Sequence, residues 1–190
     1  ASRRSIMPPS GHRCRTLTHR YRQPSSTTEA IGCSLQMPLH FLDSSAISKR
    51  YLAEVGSTWI DSLCTDDTIA VASITTVEIT SAFARRAREG NITVTQRGDL
   101  LRAFLTDRRE MLVQRLTNQI LQQAMTILLT CPPSIALRSL DAIQLACAQH
   151  AFDRAQQGGV SVGLFVAADT RLLAAADWAG LATDDPENHP

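Results

Sequence analysis

Three short stretches of this chain, residues 39–42, 69–72 and 163–168, are apolar but for His40, and helix-forming sequence separates them. Runs of this length with no polar alternation mark strands buried on both faces, a burial reached in a parallel sheet covered by helices. An α/β chain is therefore predicted, with ligands and chemistry gathered at the carboxyl ends of its strands. The first run leads into Phe41-Leu42-Asp43-Ser44-Ser45-Ala46, an apolar strand closed by a carboxylate and followed at once by two hydroxyl residues and a helix.

The remaining elements follow from caps and periodicity. Ser44 or Ser45 is predicted to cap the first helix, which stops at Gly56, and a short helix is expected at 57–64. Thr75 or Thr76 opens a long helix through Arg88, with Gly90 as its C-cap. A further helix at 97–109 carries Leu100, Leu101, Phe104 and Leu105 as its buried stripe. A third strand is expected at 111–116 and a helix at 118–129. After a Ser139 cap another helix begins at Leu140, and the last runs over 171–178 before an edge strand at 181–183. Residues 1–36, rich in Arg, Ser, Thr and Pro, read as a basic disordered arm or an extended start. The domain is placed at 37–186, with a loose acidic tail from Asp184 and residues 187–190 outside the domain.

Charge is unevenly spread. Residues 1–36 carry six arginines against Glu29, a net of +5, while the rest of the chain has 13 basic and 17 acidic residues, a net of −4. Bulk charge in the domain does not favour nucleic acid, so any such contact falls to local patches or bound metal ions. Lys49, Arg50 and Arg138, close in sequence to the acids discussed next, are the candidate phosphate contacts. The five cysteines are scattered with no CxxC pair, which argues against a disulfide framework or a zinc knuckle and for a reducing, cytoplasmic setting. No apolar run reaches the length of a membrane span.

Four acids lie just after a strand or in the first turn of a helix: Asp43, Glu78, Asp141 and Asp169. Each alone has an ordinary explanation, since first-turn acids complement the helix dipole and Asp after a strand is common turn chemistry. Together they point to one cleft. Carboxylates packed close repel unless protonated or matched by a cation, and an all-oxygen site suits Mg²⁺, or Mn²⁺ in its place. Such an ion polarises a phosphodiester, lowers the pKa of an attacking water and offsets charge on the leaving oxygen. His40 sits inside the first strand and His150 late in a helix, so neither is placed as a general base.

These motifs resemble those of the PIN-domain ribonucleases, specifically the VapC-type toxins of type II toxin–antitoxin pairs. The stretch from Phe41 to Ala46 resembles the first motif, and Thr75-Thr76-Val77-Glu78 with its Ala-Arg continuation resembles the second. The string Leu137-Arg138-Ser139-Leu140-Asp141-Ala142-Ile143-Gln144-Leu145-Ala146 is the most specific match. The run from Phe165 to Leu173, with Asp169-Thr170-Arg171 at its centre, resembles the last. The resemblance spans residue 38 to about 186. It implies a PIN-like three-layer fold with a central, mostly parallel sheet flanked by helices, and a Mg²⁺-dependent endoribonuclease acting on structured RNA such as tRNA or rRNA.

By the same resemblance Asp43 and Asp141 are the principal metal ligands. Asp169 completes the site or holds a second ion, and Glu78 is a ligand or positions the attacking water. Ser44, Ser45 and Thr170 match hydroxyl positions that steady the carboxylates. The family implies a homodimer and a cognate VapB-type antitoxin that brings a cation over the acidic cleft. Two features depart from the pattern: the arm has no counterpart, and residues 112–129 are more apolar than a polar-faced helix needs, as a dimer surface or a buried helix would be. The competing readings are a PIN-fold RNA-processing nuclease outside a toxin system, a metal-dependent phosphatase and a non-catalytic binding module. A phosphatase wants a second Asp where Ser45 stands and a dedicated lysine, and Lys49 is the only lysine in the chain.

Overall fold

The computed structural model describes residues 37–189; the arm expected over 1–36 lies outside them. Five strands form one sheet: β1 (Leu39–Leu42), β2 (Thr68–Ala72), β3 (Leu112–Gln114), β4 (Val162–Val166) and β5 (Thr183–Asp184). Their order is β3-β2-β1-β4-β5 and every pairing is parallel. Seven helices cover it: α1 (Ser44–Ile47), α2 (Ser57–Asp66), α3 (Thr75–Arg88), α4 (Val94–Asp107), α5 (Asn118–Thr130), α6 (Ser139–Gln157) and α7 (Thr170–Trp178).

Strand alternation divides the core in two. Leu39 and Phe41 of β1 join Ala70, Ala72 and Phe165 against α5, α6 and α7. Leu42, with Ile69, Val71 and Val166, meets the opposite layer of α1 to α4. Phe41 stacks on Phe165 with ring centroids 5.8 Å apart, and burying such a ring contributes roughly 1.5–3 kcal/mol. The β1–β4 register shifts between Leu39 and Phe41. At the shift the ring Nδ1 of His40 accepts the Leu164 N–H at 2.9 Å. Gly163 makes room for that ring, since a Cβ there would lie 2.5 Å from His40 Cε1.

Several boundaries differ from those predicted. Helix α4 starts at Val94 because Thr93 and Gln96 form a reciprocal capping box. Asp43 itself, rather than a serine, caps α1, and α6 opens at Ser139, one residue earlier than expected. The C-terminal segment corrects the expectation of a loose tail. After β5, a 3₁₀ turn (Pro186–Asn188) buries Pro186 beside Gly56, whose φ of +83° and missing Cβ admit the Pro186 backbone. His189 stacks on Trp59 at 4.1 Å, and Glu187 reaches Lys49 at 3.2 Å. An acidic tail is held here because a buried ammonium and a half-open indole need what it carries.

Candidate functional site

The chain builds β1, β2 and β3 outward in one direction, then returns to add β4 and β5 on the other side of β1. The strand order therefore reverses between β1 and β4, and a crevice opens at their carboxyl ends. Asp43 follows β1 directly, and Asp169 follows β4 by three residues. Glu78 stands in the first turn of α3, which leaves the end of β2, and Asp141 in the first turn of α6, which crosses β1, β2 and β4.

The four acids are held differently. Asp43 is only 5% exposed, and its Oδ2 accepts the Ser45 backbone N–H at 2.9 Å and the Ser45 hydroxyl at 2.7 Å. The same Ser45 Oγ accepts the Ala168 N–H at 2.9 Å, which ties the end of β1 to the segment after β4. Burial pushes the Asp43 carboxyl above the usual carboxylate range, the Ser45 and Ser44 donors oppose the shift, and Asp141 adds to it. Glu78 is raised by burial and then by Asp43, with Gln144 and Ser44 opposing and Asp141 adding. Asp141 is raised by burial, opposed by the Arg138 N–H that donates to its Oδ2 at 3.1 Å, and raised again by Asp169. Asp43, Glu78 and Asp141 thus lie within electrostatic reach of one another and destabilise one another's charge.

Asp169 behaves in the opposite way. The guanidinium of Arg171 holds its carboxyl below the usual range, ahead of an opposing effect of burial, and the Arg171 and Leu172 N–H groups assist. Arg171 Nη2 donates to Oδ2 at 2.9 Å, and the Arg171 N–H donates to Oδ1 at 2.9 Å.

Among the described residues, no three His, Cys, Asp or Glu side chains stand together in a ligating arrangement. Each carboxylate is instead held by a donor of its own. The donor chemistry nevertheless fits a hard divalent cation, because the set is oxygen-only and, among the described residues, three of its members form no ion pair. Asp43, Asp141 and Glu78 are the residues that would hold it.

The expected supporting residues fare unevenly. Ser45 bonds Asp43 directly and Ser44 acts on Glu78, while Thr170 is exposed at the start of α7. Two candidate phosphate contacts are corrected. Lys49 is 4% exposed, and its Nζ donates to the Val55 carbonyl at 3.1 Å and to Glu187 at 3.2 Å. Arg50 is taken by Asp61 at 3.2 Å and Asp107 at 3.8 Å. Their neighbours in space claim them, and nearness in sequence to Asp43 did not disclose this. Lys49 is likewise not free to serve a phosphatase site. Arg138 is exposed beside Asp141 and remains a candidate.

Three residues escaped the sequence reading. Gln144, 1% exposed, donates from Nε2 to Glu78 Oε2 at 2.5 Å and to Thr75 Oγ1 at 3.2 Å. Arg171 had a legible signal, since a cation in a helix's first turn opposes the dipole unless an anion holds it. Arg115 follows the end of β3 and is exposed at the same edge of the sheet as the acids. Residues 79–115 hold eight arginines against four acids, so the α3–α4 side is basic although the domain as a whole is acidic.

No protein-family model matches the sequence and no curated protein matches it. Solved structures do share its fold. VapC20 from Mycobacterium tuberculosis, described as a sarcin-ricin loop cleaving toxin, is 16% identical, with a TM-score of 0.54 over 80% of this chain and 99% of that one. PAE2754 from Pyrobaculum aerophilum is 18% identical, with a TM-score of 0.52 over 80% and 85%. VapBC2 from Rickettsia felis, solved on a DNA fragment from its promoter, is 11% identical, with a TM-score of 0.51 over 77% and 98%. The chain has the PIN-like fold: a parallel five-stranded sheet between two layers of helices. No helix among the described residues is long and apolar enough to cross a membrane.

Proposed function

We propose that the protein is a Mg²⁺-dependent endoribonuclease that hydrolyses phosphodiester bonds in structured RNA and works as the toxin of a toxin–antitoxin pair. The observation that carries this reading is the set Asp43, Glu78 and Asp141 at the switch point of a PIN-like sheet, each held above the usual carboxylate range mainly by burial, with Asp141 adding to Asp43 and Glu78. When bound, a divalent cation supplies polarisation of the scissile phosphate and a more acidic attacking water. The chain's own residues do the rest. Ser45 fixes Asp43 as an anchor. Glu78, the acid braced by Gln144, would hold the ion beside Asp43 and Asp141 and so position the attacking water. Exposed Arg115 and Arg138 flank the acids and hold phosphates of the strand on either side of the cut. Arg85 lies seven residues beyond Glu78 on the same face of α3, roughly 10 Å along its axis, and extends that track.

An antitoxin follows from the same electrostatics: an anionic crevice without metal attracts a partner's basic side chain. Helix α5 supports a homodimer. It buries Ile120, Ala124 and Ile127 inward and presents Leu121, Leu128, Met125 (62% exposed) and Leu129 (84% exposed) along its outer face. The cytoplasm, where RNA and reduced cysteines coexist, is the setting this reading requires.

Cleavage of a panel of tRNA and rRNA fragments by the purified protein tests the reading, with Mg²⁺ or Mn²⁺ against EDTA. Metal-dependent cuts at few sites, lost in Asp43→Asn and in Asp141→Asn while the fold is kept, support it. Failure of the wild type both to bind metal and to cut any RNA in the panel overturns it.

A further inference from the structure

Asp169 is the one acid of the four whose two oxygens are both held by an arginine. Its Oδ1 accepts the Arg171 N–H at 2.9 Å, the Leu172 N–H at 3.4 Å and Arg171 Nε at 3.4 Å, and its Oδ2 accepts Arg171 Nη2 at 2.9 Å. Among the described residues, Asp43, Glu78 and Asp141 have no cation on them: their close donors are Ser45, Gln144 and the Arg138 N–H. Asp141 adds a smaller electrostatic pull on the same guanidinium. A planar fork of donors on a carboxylate is the geometry in which arginine binds best. A divalent ion shared between Asp141 and Asp169 would have to displace it and the amide donors that fix Asp169 at the N-terminus of α7.

We propose that Arg171 stands where a second divalent ion would sit, so that the site takes one ion through Asp43, Glu78 and Asp141, and Asp169 serves to hold Arg171 over the crevice. This rests on the metal-site reading above. Arg171 is accordingly a positioning residue with a fixed charge. It offsets part of the repulsion among the acids and leaves a cation that needs no loading on the Asp169 side of the scissile phosphate. The Asp169–Arg171 pair is about one-third exposed on both sides, and an exposed ion pair alone contributes little. What holds the arrangement is the sum of four donors on one carboxylate.

The test is a Mn²⁺ titration of the metal-free full chain, followed by calorimetry and by electron paramagnetic resonance, with circular dichroism as the folding control. The wild type is expected to bind one Mn²⁺ per chain and Arg171→Gln two, the second giving a spin-coupled spectrum. Arg171→Lys keeps the charge and is expected to stay at one. Adding Asp169→Asn to Arg171→Gln is expected to return the count from two to one. Two ions in the wild type, or one in Arg171→Gln, overturn the proposal and leave the metal-site reading standing. No Mn²⁺ in a folded wild type overturns both.

Discussion

Gln144 Nε2 lies 2.5 Å from Glu78 Oε2, an amide on α6 bracing an acid on α3 across 66 positions of sequence. Gln144 is one turn beyond Asp141 on α6, so one helix supplies both an acid of the site and the support of another. Its Oε1 is buried without a partner, which marks the amide as placed for what its nitrogen holds.

Replacing Gln144 with Leu is therefore expected to weaken divalent-metal binding by about 10–100-fold, the usual effect of losing a group that orients a ligand. Gln144→Glu is expected to weaken it further, because a second buried carboxylate would face Glu78. Mn²⁺ titration of both folded variants reads the effect. Wild-type affinity in Gln144→Leu would remove Gln144 from the site.

The acids give a pH dependence of defined sign. Asp43, Glu78 and Asp141 have folded-state pKa values raised mainly by burial. The native state thus holds their protons longer than the unfolded chain does, and stability falls as pH rises from the ordinary carboxylate range through the raised values. Metal-free Asp43→Asn, which keeps the cap of α1, is expected to melt higher than wild type at pH 7, by about 2–4 °C per kcal/mol gained from removing the buried charge. The two are expected to converge near pH 4. A lower melting temperature for Asp43→Asn at pH 7 would contradict this.

His40 works with the opposite slope. Burial lowers its pKa against the pull of Asp67, and Nδ1 must stay unprotonated to accept the Leu164 N–H. Its contribution is full above the unfolded value of 6.5 and is lost as pH falls from there through the folded value. Gly163→Ala is expected to cost about 1–3 kcal/mol through collision with the His40 ring, and much less in a His40→Ala background. Additive losses in a denaturation double-mutant cycle would show that the ring and Gly163 are not coupled.

Lys49 and Arg138 are expected to separate cleanly. Lys49→Met loses the ion pair to Glu187 and the bond to the Val55 carbonyl, at about 1.5–3 kcal/mol of stability, with RNA affinity unchanged. Arg138→Gln is expected to leave stability within about 0.5 kcal/mol and to reduce the salt slope of RNA binding by about 1. Filter binding with the Asp43→Asn protein at several salt concentrations reads the second effect. An unchanged slope would take Arg138 out of the phosphate track.

Much of the architecture was legible locally. The apolar runs at 39–42, 69–72 and 163–168 are strands because four to six residues without polar alternation have few other homes, and Thr75 and Asn118 open helices where the periodicity changes. Asp43 and Asp169 could be named because each follows such a run, and Glu78 and Asp141 because each falls in the first turn of a helix. The Thr93 box was missed because its glutamine partner resembled ordinary helix surface, and the C-terminal turn because acidic, proline-containing sequence resembles a free tail.

The sequence by itself determined the order of strands and helices and the placing of an acid at the end or start of each relevant element. Both depend on periodicity and caps, which act over a few neighbouring residues. Only the tertiary structure decided which charges were already spent. Lys49 is matched by Glu187 from 138 positions away, Glu78 is braced by Gln144 from α6, and Ser45 of α1 is tied to Ala168 after β4. Those partners meet because the sheet reverses its order beside β1, and that reversal is a property of long-range packing that no local pattern encodes.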